Sequence, residues 1–292
     1  MRKTLTYFLS SFILMVFTVL LISSCGKDNV VNNNSNPPEP VDTSDFMYPF
    51  TTGSYWNYSI TRSVENVRPD SIAHYFSNYP VTGYGYNEIM YDTNIPIGGT
   101  VRVIFDRTVT GTDTLASRYY YTNSINSMVC YGYRGSATPS FPFRIGQQYK
   151  ISAEGRYFDS FAGLSSFLTN GFDVSSAQDT FIVLSPVVVT LKYPMLRNTE
   201  WTIFNFGSNI ISKKYIGFEN YHLDTAVISC MKTQRIWSNN SDYIFYDYYS
   251  KYGQMKKFYT FKNQPVTNML GQTIGYADYK ELYNVTSFNI IE

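Results

Sequence analysis

The residues able to do chemistry are few and widely spaced. His74 and His222 are the two histidines of the chain. A zinc site needs three or four nitrogen, sulfur or carboxylate ligands, and neither histidine has a second histidine or a cysteine two to four residues on. No Gly-x-Ser-x-Gly elbow presents a serine nucleophile. No phosphate-cradling Gly-x-x-x-x-Gly-Lys loop or strand-linked Gly-x-Gly-x-x-Gly occurs, so nucleotide binding has no support. Asp42 to Asp45, and Asp242 with Asp247, lack the glycine and spacing of a calcium loop. Carboxylate pairs for glycosidic cleavage depend on a separation that sequence does not encode. The reading is therefore non-enzymatic, with no catalytic, metal or cofactor set. Two kinds of chemical handle remain: three cysteines, and runs of aromatic residues.

Tyr119-Tyr120-Tyr121 and Tyr243-Ile244-Phe245-Tyr246-Asp247-Tyr248-Tyr249 place large side chains on both faces of their strands. Three arrangements account for this. One face is core and the other packs on a second layer, with hydroxyls reaching water. Alternatively, the second face lines a concave site for a hydrophobic ligand. In the third, the rings form an exposed platform for a sugar or a partner protein. Tyr243, Phe245, Tyr246, Tyr248 and Tyr249 are the candidate ligand-facing residues.

Cys25 closes a stretch with a distinct composition. Arg2 and Lys3 form a positive start, residues 8–22 are almost all apolar, and Ile22-Ser23-Ser24-Cys25-Gly26 follows. That run has the proportions of a signal-peptide core and is short for a membrane span. The stretch resembles the bacterial lipoprotein signal, whose lipobox has an aliphatic residue three before the cysteine and small residues between. The resemblance implies cleavage after residue 24 and a diacylglyceryl thioether on Cys25, with acylation by palmitate-like chains. Each buried methylene contributes about 0.8 kcal/mol, so two or three chains anchor a protein durably. Gly26, where an Asp would signal inner-membrane retention, points to the outer membrane of a bacterial cell envelope, at its periplasmic face or the cell surface. Lys27-Asp28 is similar to the short charged tags that send some lipoproteins to the surface.

Removing residues 1–24 takes away Arg2 and Lys3 and no acid, so 23 basic residues become 21 against 22 acidic ones. No basic stripe exists to release counterions, which excludes a nucleic-acid partner. Aromatics make up 18% of the chain and charged residues only 15%, a β-rich, extracytoplasmic balance. In an oxidising compartment Cys130 and Cys230 could pair, which on the chain-entropy model would be worth roughly 4.7 kcal/mol. The alternative is two buried free thiols.

Residues 25–45 are rich in Asn and Pro and read as a disordered tether, which as a coil reaches about 25 Å. A β domain follows over 46–292, with a sub-boundary near 193. It contains one nine-residue pattern three times: Tyr48 to Trp56, Phe141 to Tyr149 and Tyr193 to Trp201. Each copy reads aromatic, Pro, apolar, two variable residues, Gly or Asn, two variable residues, aromatic. The sixth position, Gly53, Gly146 or Asn198, is expected to take a left-handed turn, with a strand starting at the closing aromatic. Alternation and turn residues predict strands at 55–64, 100–107, 117–122, 127–133, 148–155, 180–192, 200–206, 210–219, 225–237, 242–250, 253–262 and 276–289. Residues 225–250 read as a hairpin about Ser238-Asn239-Asn240-Ser241. Phe158, Phe161, Leu164 and Leu168 predict one short helix.

The order Tyr215-Ile216-Gly217-Phe218-Glu219, then Ala226-Val227-Ile228-Ser229-Cys230-Met231-Lys232, then Tyr246 to Lys256 resembles a class of uncharacterised β-rich bacterial lipoproteins. That class is similar in layout to half-barrels of the lipoprotein-carrier (LolA/LolB-like) type. The resemblance implies fold and not activity. The expectation is an all-β chain with a large curved antiparallel sheet, half-barrel or sandwich-like, and one short helix. The alternative is two consecutive small β domains. The expected role is non-enzymatic binding of a hydrophobic ligand by an envelope lipoprotein held on the membrane through Cys25. The alternative is adhesion or glycan binding by exposed aromatics.

Overall fold

The computed structural model describes residues 46–96, 98–111, 113–137, 149–170, 181–206 and 209–292. The lipobox, Cys25 and the tether lie outside these residues, as does the second aromatic-proline copy as far as Gln148.

The described chain is almost entirely β. Its strands are β1 (Tyr55–Arg68), β2 (Val81–Asn94), β3 (Thr100–Thr110), β4 (Asp113–Asn123) and β5 (Ser127–Ala137). Next come β6 (Lys150–Ala153), β7 (Arg156–Phe158), the helix α1 (Phe161–Asn170) and β8 (Ile182–Lys192). The chain finishes with β9 (Glu200–Phe206), β10 (Asn209–Leu223), β11 (Ala226–Trp237), β12 (Tyr243–Ser250), β13 (Gly253–Thr267) and β14 (Thr273–Asn289). One 3₁₀ turn, Asp70–Phe76, leads from β1 toward β2. All strands belong to one antiparallel sheet, ordered β8-β5-β4-β3-β2-β1-β14-β13-β12-β11-β10-β9, with β6 and β7 off this path, β6 pairing with β13 and β7 with β6. Two meanders, β1–β5 and β9–β14, are thus joined where β1 pairs with β14. The sheet curls into a nearly closed barrel, and the strands before and after position 193 share it through the β1–β14 pairing, so two consecutive small domains are not what the chain forms.

Side chains rather than a ladder bridge the seam between β8 and β9–β10. Trp201 Nε1 donates to Val189 O at 2.8 Å, Lys213 Nζ to Thr190 O at 3.1 Å, and the Tyr215 hydroxyl to Lys192 O at 2.7 Å. These bonds reach the unpaired carbonyls that an edge strand otherwise offers to other chains.

The barrel is stoppered at both ends. At the end where β1 and β9 begin, the first and third aromatic-proline copies form the floor. Gly53 has φ +90° and Asn198 φ +70°, the left-handed position expected for each. In each copy the seventh residue donates back to the fourth: Ser54 N to Thr51 O at 3.1 Å, and Thr199 N to Leu196 O at 3.1 Å. A positive φ at the third residue of such a turn defines type II and selects Gly or Asn. The two turns also dock alike. Gly53 N donates to Ile89 O and Ile89 N to Ser54 O; Asn198 N donates to Tyr215 O and Tyr215 N to Thr199 O. The copies meet where Tyr48 N donates to the Tyr193 hydroxyl at 3.1 Å. Trp56 and Trp201, the closing aromatics, are both buried.

The opposite end is roofed by α1 and by aromatic rings. Phe161, Leu164 and Leu168 are buried on one helix face, and Phe161 stacks on Tyr279 with centroids 4.7 Å apart. Ser160 starts the helix: its Oγ accepts the Gly163 amide at 3.2 Å, satisfying one donor of the first turn. The cap also explains why Phe158, expected on the helix, ends β7 instead. Residues 148–155, expected as one strand, fold back as the β6–β7 hairpin, because Glu154 and Gly155 both take positive φ, 50° and 70°. β2 was not expected, since Gly83-Tyr84-Gly85-Tyr86 in its first half breaks the apolar alternation. At Gly83 a β-carbon would lie 2.0 Å from Val109 O, so the close strand approach itself requires glycine.

Candidate functional site

Between floor and roof the barrel encloses a chamber of about 220 Å³. Its wall divides by chemistry. Leu115 of β4, Met128 of β5, Leu184, Val188 and Leu191 of β8, and Ile203 of β9 make a mainly apolar side, interrupted by Ser117, Tyr119 and Tyr121 of β4 and Thr190 of β8. Arg62 of β1, Lys213 of β10, Arg235 of β11, Asp247 of β12, Lys257 of β13 and Glu281 of β14 make a charged one, with Asp106 of β3 joining it. Several of these charges are nearly inaccessible: Glu281 at 1%, Asp247 at 3%, Arg62 and Lys213 at 4%, and Arg235 at 7%. Ionised groups are held at such burial only when paired and hydrogen-bonded.

Most are. Glu281 Oε1 accepts from Arg62 Nε at 3.1 Å and from Arg62 Nη2 at 3.0 Å. The Tyr279 hydroxyl donates to Glu281 Oε2 at 3.1 Å, and the Tyr283 hydroxyl to Oε1. Burial alone would raise the Glu281 carboxyl, but Arg62 and the surrounding donors, Ser165 of α1 among them, hold it below its usual value. Arg62 Nη1 also donates to the Thr110 hydroxyl. Asp247 Oδ1 accepts from Gln254 Nε2 at 2.9 Å and from the Tyr259 hydroxyl at 3.0 Å. Asp106 faces Lys257 at 3.9 Å and, with the Asn87 amide turned nitrogen-first, accepts from it at 3.1 Å. Burial raises Asp106 above the ordinary carboxylate range, against the opposing pull of Lys257.

Arg235 and Lys213 complete the charged wall. Arg235 Nη1 donates to Leu168 O at the end of α1, at 3.1 Å, and its guanidinium lies over Phe245 and Trp237. Lys213 Nζ is 5.9 Å from the Tyr249 ring. Burial pushes the Lys213 ammonium down to about 8; Asp247 opposes the shift, while Arg235 and Lys257 add to it.

The five aromatics singled out from β12 separate by face. Tyr249 lines the chamber beside Asp247. Tyr243 and Phe245 point the same way but lie nearer the roof, packed on Trp237 and Phe261 with ring centroids 4.5–5.8 Å apart. Tyr246 and Tyr248 are on the other face, with Lys232 Nζ 4.4 and 5.5 Å from their rings. The run is therefore not one apolar lining. Cys130 of β5 and Cys230 of β11 are both buried and unbridged. Burial pushes each thiol up to about 12.

Apart from Asp247, weighed only as a calcium ligand, sequence reasoning passed over the charges on this wall. The signal was there, as a charged residue continuing an inward period-two series. Arg62 follows Trp56, Tyr58 and Ile60; Asp247 stands between Phe245 and Tyr249; Glu281 stands between Tyr279 and Tyr283. Among the described residues, no group of three metal-ligating side chains is assembled.

No family model and no curated protein matches the chain. Two solved structures are similar to it. One, from Bacteroides fragilis NCTC 9343, is described as an exported protein with a YmcC-like fold. It is 10% identical with a TM-score of 0.30, over 84% of this chain and 99% of that one. The other, from Parabacteroides distasonis ATCC 8503, is described as a lipoprotein. It is 11% identical with a TM-score of 0.25, over 84% of this chain and 98% of that one.

Proposed function

We propose that this chain is exported, held on a bacterial outer membrane by lipid on Cys25, and binds a small amphiphilic molecule inside its barrel without transforming it. The lipobox residues Ile22 to Cys25 support the anchor. The split chamber carries the binding reading. A closed hydrophobic core has no use for seven charged side chains around an open volume, and an apolar cavity for a purely hydrocarbon ligand would have none. One apolar wall facing one charged wall suits a ligand with a short hydrocarbon part and a polar head, the usual division of labour in a binding pocket. The volume, about 220 Å³, is below the common range of roughly 300–1,000 Å³ and limits the ligand to a small molecule.

The test is native mass spectrometry on the exported Cys25→Ser protein, purified without detergent from the cell's soluble fraction. An additional stoichiometric mass, lost on organic extraction, is the expected result. A protein that stays in the membrane fraction without Cys25 overturns the anchor. A clean apo mass that persists after incubation with envelope extract overturns the chamber reading and leaves the half-buried outward ring of Tyr246 to be tried on glycan arrays.

A further inference from the structure

We infer that the chamber's ligand is a small zwitterion, an amino acid with an aliphatic side chain, whose carboxylate meets Lys213 and whose ammonium meets Asp247. This inference rests on the reading of the chamber as the ligand site. Lys213 and Asp247 both line the chamber, and both are more than nine-tenths buried, at 4% and 3% exposure. An ammonium carries three N–H donors, and an ionised carboxylate carries two acceptor oxygens. Among the described residues, Lys213 Nζ donates to Thr190 O alone, at 3.1 Å. Asp247 takes Gln254 Nε2 and the Tyr259 hydroxyl on the same oxygen, Oδ1, and no hydrogen bond from a described residue reaches Oδ2. A buried charge with unused bonding capacity is held at a cost, which a ligand supplying the missing partner offsets.

The two groups are not spent on each other. Among the described residues, neither has a group of opposite charge within 4.0 Å. The register separates them: Lys213 of β10 pairs with Arg235 of β11, which pairs with Phe245 of β12, and Asp247 is one inward position further along β12. Lys213 nevertheless reaches toward Asp247. Its Nζ is 5.9 Å from the Tyr249 ring, and Gln254 Nε2 donates both to the Tyr249 hydroxyl, at 3.3 Å, and to Asp247 Oδ1. The space between them is thus too wide for an ion pair, yet it belongs to one stretch of wall. A molecule with both charges on one carbon fits there. A lone carboxylate at Lys213 would leave Asp247 Oδ2 unmet and bring a like charge toward it, and a lone amine at Asp247 would do the same to Lys213. The bond from Lys213 to Thr190 also sets its ammonium against β8, whose Leu184, Val188 and Leu191 face the chamber. An amino acid bound by both charged groups can lay its aliphatic side chain on that strand.

Calorimetric titration of the Cys25→Ser protein at pH 7 with racemic norleucine, hexanoate, pentylamine and hexan-1-ol tests this. Hexanoate is norleucine without its ammonium, and pentylamine is norleucine without its carboxylate. Norleucine is expected to bind at least about tenfold more tightly than any of the other three. Asp247→Asn should bring it to the level of hexanoate, and Lys213→Met to that of pentylamine. A variant that weakens all the probes alike overturns the inference. Hexanoate, pentylamine or hexan-1-ol binding as tightly as norleucine overturns the zwitterion and spares the chamber; binding of none of the four overturns both. If a variant does not fold, NMR of the unsubstituted chain decides. Norleucine and hexanoate should move the Lys213 ε-methylene resonance, and norleucine and pentylamine the Asp247 carboxyl carbon. Any other pattern overturns the inference.

Discussion

The two meanders start from the same turn and then diverge. β1 and β9 each follow an aromatic-proline segment whose left-handed sixth residue and back-donating seventh dock on the neighbouring strand through the same pair of backbone bonds. Beyond that point their inward faces differ. Lys213, Arg235, Asp247, Lys257 and Glu281, five of the seven chamber charges, belong to the second meander, and only Arg62 and Asp106 to the first. The shared part fastens the end of the barrel with backbone groups and rings. The part that differs supplies the ligand wall. Conserved geometry at the floor thus leaves the strand interiors free to vary, because a backbone turn constrains its own residues and not those ten positions up the strand.

Removing a charge should break this contrast most severely. Arg62→Met leaves the Glu281 carboxylate buried among hydroxyls with no cation, and orphaning one member of a buried pair costs about 3–5 kcal/mol. Urea unfolding should show that loss, and the double variant Arg62→Met with Glu281→Gln should recover much of it, because the desolvation penalty of both charges goes with them. A loss below 1 kcal/mol for the single variant would mean that the tyrosine hydroxyls alone carry Glu281.

At the floor the expected effects are smaller and unequal between copies. Gly53→Ala forces a β-carbon into φ +90° and to 2.8 Å from Ile291 Cδ1. It should cost about 1–2 kcal/mol, the penalty for an L-residue in left-handed backbone. Asn198→Gly keeps the turn and should stay within a few tenths of a kcal/mol, since both residues tolerate that conformation. Matching losses at the two sites would refute the equivalence of the turns, since only Gly53 gains a strained side chain.

These contrasts track what could be read in the sequence. The turns were legible because their determinants are local: proline, then a residue that accepts positive φ, then a buried aromatic. Strand alternation was legible for the same reason, and the sheet formed at nearly all the expected positions. β2 escaped because Gly83 answers to Val109 on the neighbouring strand, a contact with no local signature. The aromatic run of β12 was found with its rings on both faces, but which of them reach the chamber was not legible. Period two assigns faces, whereas height along the barrel separates Tyr249 in the chamber from Phe245 near the roof. The charged wall was overlooked because a Lys or Glu in a strand reads as solvent-facing unless the apolar residues two before and two after it are weighed with it. Lys213 and Lys214 are adjacent in sequence, and without that weighing nothing marks Lys213 as the inward one.

The smallest effect isolates that residue. Lys213 titrates near 8 when folded and near 10.5 when exposed. Below pH 8 both states carry the proton, and the cost of burying the charge is present in full. As pH rises past 8 the folded state releases its proton first, the unfolded chain then binds more protons, and stability increases. The thiols of Cys130 and Cys230 work the other way, since burial holds them near 12 while the unfolded chain ionises them near 9. Both thiols remain in Lys213→Met, so the difference between the two proteins reports Lys213 alone. From pH 8 to pH 9 the unsubstituted chain should gain about 1 kcal/mol relative to the variant in paired urea titrations. A pH-independent difference between the proteins would show that the Lys213 ammonium is solvated in the fold.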